Sequence, residues 1–286
     1  MAREVSVACL QTRPMATFDA AISEALDLAR EAVSGGAKML FLPEYCGGLV
    51  SGGAELCPPV APDGAHPVLM ALQAFAAEHS VWIMVGSIAV EGPGGKYINR
   101  GYMLDDRGQV QGRYDKLHMF DIQLSNTEVY RESATVVAGG RGVIHDTPFG
   151  RIGHTICYDL RFPQLYRALV QAGADIITCP AAFTKKTGAA HWHILNRARA
   201  IENTSYMIAP CAVGPVPGGG EAYGHSLIVD PWGEVVGDGE TGHGTGHGIV
   251  LAKIDLDKVA EARSRIPSLT HDRDFSIVPD LNTRTA

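Results

Sequence analysis

Two distant parts of the chain share a short sequence pattern, and this repeat restricts the possible folds more than any other feature. The segment GAKMLFLP from Gly36 to Pro43 resembles GADIITCP from Gly173 to Pro180. Each segment follows a predicted buried strand and a predicted amphipathic helix, in which apolar residues recur with the period of an α-helix. Two such strand–helix–strand units predict an α/β fold with an approximate internal two-fold. Because Gly-Ala before a buried strand is common, the alternative is that the match is a coincidence.

Composition restricts the classes of protein to consider. The chain has 286 residues, of which 46% are hydrophobic, enough for one large domain or two small ones. We find no internal linker and therefore predict one domain over residues 1–286, in which residues 266–286 form an extended tail. A net charge of −7 argues against broad nucleic-acid binding, which needs a basic face.

The distribution of apolar residues and cysteines predicts a cytoplasmic protein. No apolar run reaches the length needed to cross a bilayer, so we expect no membrane partner. The first ten residues read as a charged start to a strand and lack the apolar stretch of a signal peptide. The cysteines are scattered without Cys-x-x-Cys spacing, which favours reduced thiols over a disulfide framework.

Three reactive side chains lie at or near the ends of hydrophobic segments. Cys157 ends a predicted strand and precedes a turn and a helix that Pro163 can start. A thiol with a pKa of about 8.5 is mostly protonated at neutral pH, so a nucleophilic cysteine needs a base nearby. Glu44 ends the apolar run 38–43, and Lys116 lies in the polar segment 113–121. Together they suggest a catalytic set, although separately each has an ordinary role as a buried small side chain, a solvated strand end or a surface ion pair.

The amino-acid sequences of these segments resemble those of the nitrilase superfamily of carbon–nitrogen hydrolases. The Glu, Lys and Cys residues also follow one another along the chain in the order found in that family. Within that superfamily the chain is most similar to the branch of ω-amidases and deaminated-glutathione amidases. The resemblance covers nearly the whole chain and implies a four-layer α-β-β-α sandwich. The matching segments are FLPE (41–44), DKLHMFD (115–121), CYDLRFP (157–163), TGAAHW (187–192), NRARAIEN (196–203), YGHS (223–226) and VDPWG (229–233).

The resemblance implies a division of roles for hydrolysing an amide through a thioester. Cys157 is the nucleophile, and Glu44 takes its proton, passes it to the departing nitrogen and later activates water. Lys116 and the backbone N–H of Tyr158 face the developing oxyanion, where one donor typically contributes about 3–4 kcal/mol.

The family also has a second glutamate near the site. The matching position is Glu132, which we predict orients Lys116 and the substrate nitrogen. Glu128 lies only four residues earlier and is the competing candidate.

Substrate choice is inferred from the same branch. There the matching arginine, Arg161, grips a substrate carboxylate, for which a planar guanidinium is suited. Phe183 and Thr187 match the aromatic residue and the threonine that complete the pocket. The expected substrate is a small carboxylate-bearing amide, such as a 2-oxo acid amide or a deaminated-glutathione-like peptide acid. The alternatives are nitrile or N-carbamoyl amide hydrolysis by the same residues, or a catalytically silent binding scaffold.

We expect no cofactor and no metal. His191 and His193 are two positions apart, so they point to different faces of a predicted helix, and the histidines of segment 242–247 lack a third ligand at a familiar spacing. Cys46, close to Glu44 in sequence, is expected to have a packing role. The resemblance implies a homodimer or a higher homo-oligomer.

Overall fold

The computed structural model describes residues 4–126, 128–240 and 247–278. These residues form strands β1 (Glu4–Gln11), β2 (Met39–Phe41), β3 (Val60–Ala61), β4 (Trp82–Glu91), β5 (Tyr97–Leu104), β6 (Val110–Asp115), β7 (Asp121–Gln123), β8 (Val129–Arg131), β9 (Val143–Thr147), β10 (Gly150–His154), β11 (Ile176–Thr178), β12 (Tyr206–Ala209), β13 (Val213–Pro215), β14 (Glu221–Tyr223), β15 (Leu227–Val229), β16 (Val235–Asp238) and β17 (Gly248–Asp255). The α-helices are α1 (Phe18–Ser34), α2 (Pro67–His79), α3 (Glu132–Thr135), α4 (Pro163–Gln171), α5 (Lys185–Asn203) and α6 (Asp257–Arg265).

Helix ends follow local chemistry. The hydroxyl of Thr17 accepts a hydrogen bond from the Ala20 amide and caps the start of α1. Gly35 caps the end of that helix and is followed by Gly36, whose φ of +90° is accessible mainly to glycine. Helices α2 and α4 both begin with a proline, whose missing N–H is not needed in a first helical turn.

Two sheets carry the fold. The first has the order β17-β1-β2-β4-β5-β6, with β3 paired to β4, and the second has the order β16-β15-β12-β11-β10-β9. In each sheet three parallel strands are flanked by one antiparallel strand on one side and two on the other. The shared topology confirms the internal repeat, in which β1-α1-β2 and β10-α4-β11 are the two matching units. The two similar sequence segments, 36–43 and 173–180, contain strands β2 and β11.

Buried side chains show how the layers stack. Phe41 of the first sheet and Ile176 of the second belong to one apolar cluster between the two sheets. Leu40, the neighbour of Phe41 on β2, points to the opposite face and packs with Leu72 of α2. Trp192 of α5 belongs to the cluster that covers the outer face of the second sheet. The architecture is therefore the expected four-layer α-β-β-α sandwich.

Most elements lie where the sequence predicts them, including the β5–β6 hairpin around 105–108. Helix α5 begins at Lys185, whereas the sequence predicts a start near Ala189. The extra turn contains Gly188, a poor helix former, but a Cβ there would come within 2.2 Å of the Tyr223 ring. Close packing therefore explains a glycine inside this helix.

The beginning of the predicted tail is tied to the body of the protein. The Arg167 guanidinium of α4 donates to the Ser268 carbonyl oxygen at 2.7 Å and pairs with Asp272. Residues 271–278 have no regular secondary structure. Residues 279–286 lie outside the described residues, as do residues 241–246, which include most of the histidine-containing segment 242–247. Among the described helices, none combines the length and apolar character that crossing a bilayer requires.

Candidate active site

Cys157 lies where the chain leaves β10 and enters a short 3-10 turn (Cys157–Arg161) that leads into α4. Its φ is +48°, a left-handed conformation that is uncommon for a non-glycine residue and costs about 1–3 kcal/mol. The Cys157 amide donates to the Pro180 carbonyl oxygen at 2.9 Å, which anchors the residue to the end of β11. A sharp, strained turn after a strand presents a nucleophile at the edge of a sheet.

Glu44 follows β2, so it reaches the same edge from the other sheet. Its Oε1 accepts hydrogen bonds from Lys116 Nζ at 2.8 Å and from Asn99 Nδ2 at 2.9 Å. Its Oε2 accepts from the backbone N–H of Ala182 at 3.0 Å. Glu44 is 4% exposed, and it lines the same cavity as Cys157.

Lys116 is held between two carboxylates. Its Nζ donates to both oxygens of Glu132 at 2.9 Å as well as to Glu44. Glu132 accepts three further hydrogen bonds, from the Phe120 amide at 2.6 Å, from the Tyr45 hydroxyl at 3.2 Å and from Asn99 Nδ2 at 3.5 Å. Since Lys116 and Glu132 are 2% and 3% exposed, this is a buried network in which one ammonium faces two carboxylates.

The structure separates the two candidates for the second glutamate. Glu128 is partly exposed, lies 3.7 Å from Lys186 Nζ and accepts a long hydrogen bond of 3.5 Å from Tyr130. Glu132, in contrast, belongs to the buried network. Glu132 is therefore the glutamate at the candidate site, as the sequence motif predicts.

Electrostatics determine which groups are charged before substrate binds. Burial and the Glu44 carboxylate raise the pKa of the Cys157 thiol well above its usual value, and the Lys116 ammonium opposes them. Burial lowers the pKa of Lys116, but Glu132 and Glu44 raise it further, so the net pKa lies above the ordinary value. The resting site therefore holds a protonated thiol beside a charged ammonium, and attack by sulfur requires proton transfer to a base.

Asp159 joins the 3-10 turn that begins at Cys157 to the loop that carries Lys116. It is fully buried, and its Oδ2 accepts from the Tyr114 hydroxyl at 2.7 Å and the Ile156 amide at 2.8 Å. Its Oδ1 accepts from the His118 amide at 3.1 Å and lies 2.7 Å from His118 Nδ1. These contacts explain why an aspartate and a histidine accompany the cysteine and the lysine in the sequence motifs.

Two members of the cluster were missed by sequence reasoning. Asn99 donates to Glu44 and, at 3.5 Å, to Glu132, which links the two carboxylates from β5. Tyr45 donates to Glu132 and has a φ of +53°. An asparagine inside a strand is unfavourable and was an available signal. Cys46 belongs to the apolar core, where its thiol donates to the Ser87 carbonyl oxygen at 3.3 Å, which confirms a packing role.

The network opens into a cavity with mainly apolar and aromatic walls. Tyr158, Phe183 and Thr187 line it, as the sequence predicts. The lining also includes Glu44, Lys116, Phe120, Glu132, Cys157 and Glu221. Tyr158 lies in the first turn of the 3-10 helix. The backbone N–H groups of a first helical turn have no hydrogen-bond partner within the helix, so that of Tyr158 is available to an oxyanion.

Arg161 differs from the other predicted substrate-binding residues, because it is not among the described residues that line the cavity. Its guanidinium carbon lies 5.9 Å from the Tyr158 ring centroid and 5.6 Å from that of Phe183, and its Nη2 lies 3.3 Å from His191 Nδ1. The arginine thus packs against two side chains of the wall.

Comparison with known proteins agrees with this geometry. Residues 6–264 match the carbon-nitrogen hydrolase family. The chain is 39% identical over 266 residues to a deaminated glutathione amidase of Synechocystis sp., covering 92% of this chain and 95% of the relative. It is 35% identical over 252 residues to the human omega-amidase NIT2, covering 88% and 89%.

Solved structures show the same fold. The C. elegans NitFhit protein superposes with a TM-score of 0.82 at 30% identity over 94% of this chain, which spans 65% of the NitFhit chain. Saccharomyces cerevisiae Nit3, a member of the nitrilase superfamily, gives a TM-score of 0.79 at 27% identity, covering 92% and 94% of the two chains. With its buried glutamate–lysine–cysteine arrangement, the chain belongs to the carbon–nitrogen hydrolase family of amidases.

Proposed function

We propose that this hydrolase cleaves the amide bond of a small carboxylate-bearing amide through a thioester on Cys157, and that it releases ammonia. The observation that carries the proposal is the buried network of Glu44, Lys116 and Glu132 beside the protonated thiol. The relatives named above act on deaminated glutathione or on ω-amides, so a monoamide of a dicarboxylic acid is the substrate class to test first.

In the acylation half, Glu44 accepts the thiol proton while sulfur attacks the amide carbon. The carbonyl oxygen becomes an oxyanion that faces the Lys116 ammonium and the Tyr158 N–H. Glu44 then returns the proton to the amide nitrogen, the carbon–nitrogen bond breaks and ammonia leaves. The product is an acyl thioester, with Glu44 again ionised.

In the deacylation half, water takes the position vacated by ammonia. Glu44 removes a proton from the water as its oxygen attacks the thioester carbon, and the same two donors stabilise the second oxyanion. Collapse breaks the carbon–sulfur bond, releases the carboxylic acid and returns the proton to sulfur. Glu132 does not exchange protons in this scheme, because it holds Lys116 and keeps a negative charge beside the ammonium.

The test is an ammonia-release assay over ω-amides of dicarboxylic acids, neutral amides, nitriles and N-carbamoyl compounds, with Cys157→Ala as the blank. We expect turnover of the acidic amides, none by the variant, and a covalent acyl adduct on Cys157 in mass spectra of rapidly quenched reactions. Glu44→Gln should lose turnover, because Glu44 serves both half-reactions, and turnover by the parent protein without an acyl adduct on Cys157 would argue against the thioester. Preferential cleavage of nitriles or carbamoyl compounds would replace the proposed substrate class.

A further inference from the structure

A second cluster of reactive side chains lies outside the candidate active site, where α5 meets the β14–β15 connection and the end of β16. His193 Nε2 lies 3.0 Å from Asp238 Oδ2, and His225 Nδ1 lies 2.9 Å from Asp238 Oδ1. The ligand atoms that the three side chains offer all lie within 4.8 Å of one another. Two imidazoles and one carboxylate, from three separate elements, therefore converge on one point.

The backbone around this cluster is firmly held. His225 has a φ of +53°, and a non-glycine residue keeps such a conformation only when its surroundings impose it. Its carbonyl oxygen accepts from Trp192 Nε1 at 2.7 Å, and its amide donates to the Glu240 carbonyl oxygen at 2.8 Å. The Glu240 amide in turn donates to Asp238 Oδ1 at 2.7 Å. Such supporting contacts orient the side chains of a ligand set before an ion arrives.

We propose that His193, His225 and Asp238 bind one divalent transition-metal ion of the zinc type. Zinc takes imidazole nitrogen and carboxylate oxygen at about 2.0–2.2 Å, so two ligand atoms of a tetrahedral ion are about 3.3–3.6 Å apart. The ligand atoms here lie within 4.8 Å of one another, so the widest pair needs to close by about 1.3 Å. The ion takes the place of the hydrogen bonds between the carboxylate and the two rings: each neutral imidazole binds through the lone pair of the nitrogen that faces Asp238, and its single proton moves to the other ring nitrogen.

Exposure and chemistry select the kind of ion. The side chains of His193, His225 and Asp238 are 33%, 19% and 28% exposed, so an ion can enter and water can complete its coordination. Imidazole ligands favour zinc, nickel or copper over magnesium and calcium, which prefer oxygen. Among the described residues that line the catalytic cavity, none belongs to this cluster, so the ion has a structural role.

The test uses tag-free, chelator-treated Cys157→Ala protein, so that zinc cannot bind the reactive thiol. Isothermal titration with Zn²⁺ should give one site per chain, while Mg²⁺ should give none. His193→Gln and Asp238→Asn should each weaken zinc binding at least tenfold. His191→Gln is the matched control, because His191 lies on the same helix but contacts Arg161 instead. Co²⁺ bound to the parent protein should show a visible spectrum of nitrogen and oxygen ligation without thiolate bands.

Melting curves of the metal-free variants establish whether each still folds. The zinc affinity of one folded variant, His193→Gln or Asp238→Asn, is sufficient to test the proposal. Zinc affinity that stays within twofold of the parent in His193→Gln or Asp238→Asn overturns the proposal. The zinc would then belong to other ligands, such as the histidines of segment 242–247, and the cluster would be a hydrogen-bond network only. Equal weakening in His191→Gln would also overturn it.

Discussion

Replacing Glu132 by glutamine tests whether this carboxylate sustains the charge of the site. The substitution preserves shape but puts an NH₂ group where an oxygen now accepts from Lys116 Nζ or from the Phe120 amide. One charge-assisted hydrogen bond is lost and a donor faces a donor, which costs about 1.5–3 kcal/mol. If Lys116 interacts with negative charge that develops only in the transition state, the substitution raises the activation free energy by this amount. The value of kcat then decreases roughly ten- to hundredfold with little change in KM.

The matched control is Glu128→Gln, which removes a carboxylate four residues away whose side chain is 34% exposed. We expect it to retain kcat within about twofold, because an exposed ion pair contributes little. Ammonia release gives kcat and KM for both variants, and thermal melting shows whether each is folded.

A second readout separates a catalytic effect from a loss of folding. Removing the negative charge of Glu132 leaves the Lys116 ammonium less balanced, which favours the Cys157 thiolate. The pH midpoint for alkylation of Cys157 by iodoacetamide should therefore move downward in Glu132→Gln and stay unchanged in Glu128→Gln. A kcat within threefold of the parent, or an equal loss in Glu128→Gln, would refute the reasoning.

Three further predictions follow from named contacts. Asp159→Asn removes a buried carboxylate that accepts four hydrogen bonds, so the free energy of unfolding measured in urea should fall by about 3 kcal/mol. The control Asp146→Asn, whose side chain is 85% exposed, should lower it by less than about 0.5 kcal/mol. Arg161→Ala should raise KM for acidic amides at least tenfold more than for neutral ones, with Arg30→Ala, whose exposed side chain pairs with Asp27 on α1, as the control cation; equal effects on both substrates exclude a carboxylate clamp. Burial lowers the pKa of His145 from 6.5 to about 4. As pH falls, His145 is therefore protonated in the unfolded chain before it is protonated in the folded protein, and the stabilisation present above pH 6.5 is lost as pH falls towards 4. His145 should therefore contribute about 2 kcal/mol to the fall in the free energy of unfolding between pH 6.5 and 4.5, and a His145→Gln variant with the same pH dependence as the parent would contradict the neutral, buried state.

Local patterns were sufficient for much of the fold. The apolar periodicity of α1, its stop at Gly35-Gly36 and the turn at 105–108 are properties of short segments, and the structure agrees with them. The start of α5 was predicted too late, because the packing of Gly188 against Tyr223 is a contact between residues 35 apart in sequence. Propensity does not contain such a contact.

Hydrophobic periodicity indicates most of the strands and helices and their order along the chain, because it is a local property. The layer architecture and the grouping of Glu44, Lys116 and Cys157 were implied by the resemblance of short motifs to a known family. Only the tertiary structure decided that Glu132 rather than Glu128 meets Lys116, that Asn99 bridges two carboxylates, and that His193 lies beside Asp238. Those choices depend on distances of about 3 Å between side chains on different elements, and such distances are set only when the sheets pack and the chain closes around them.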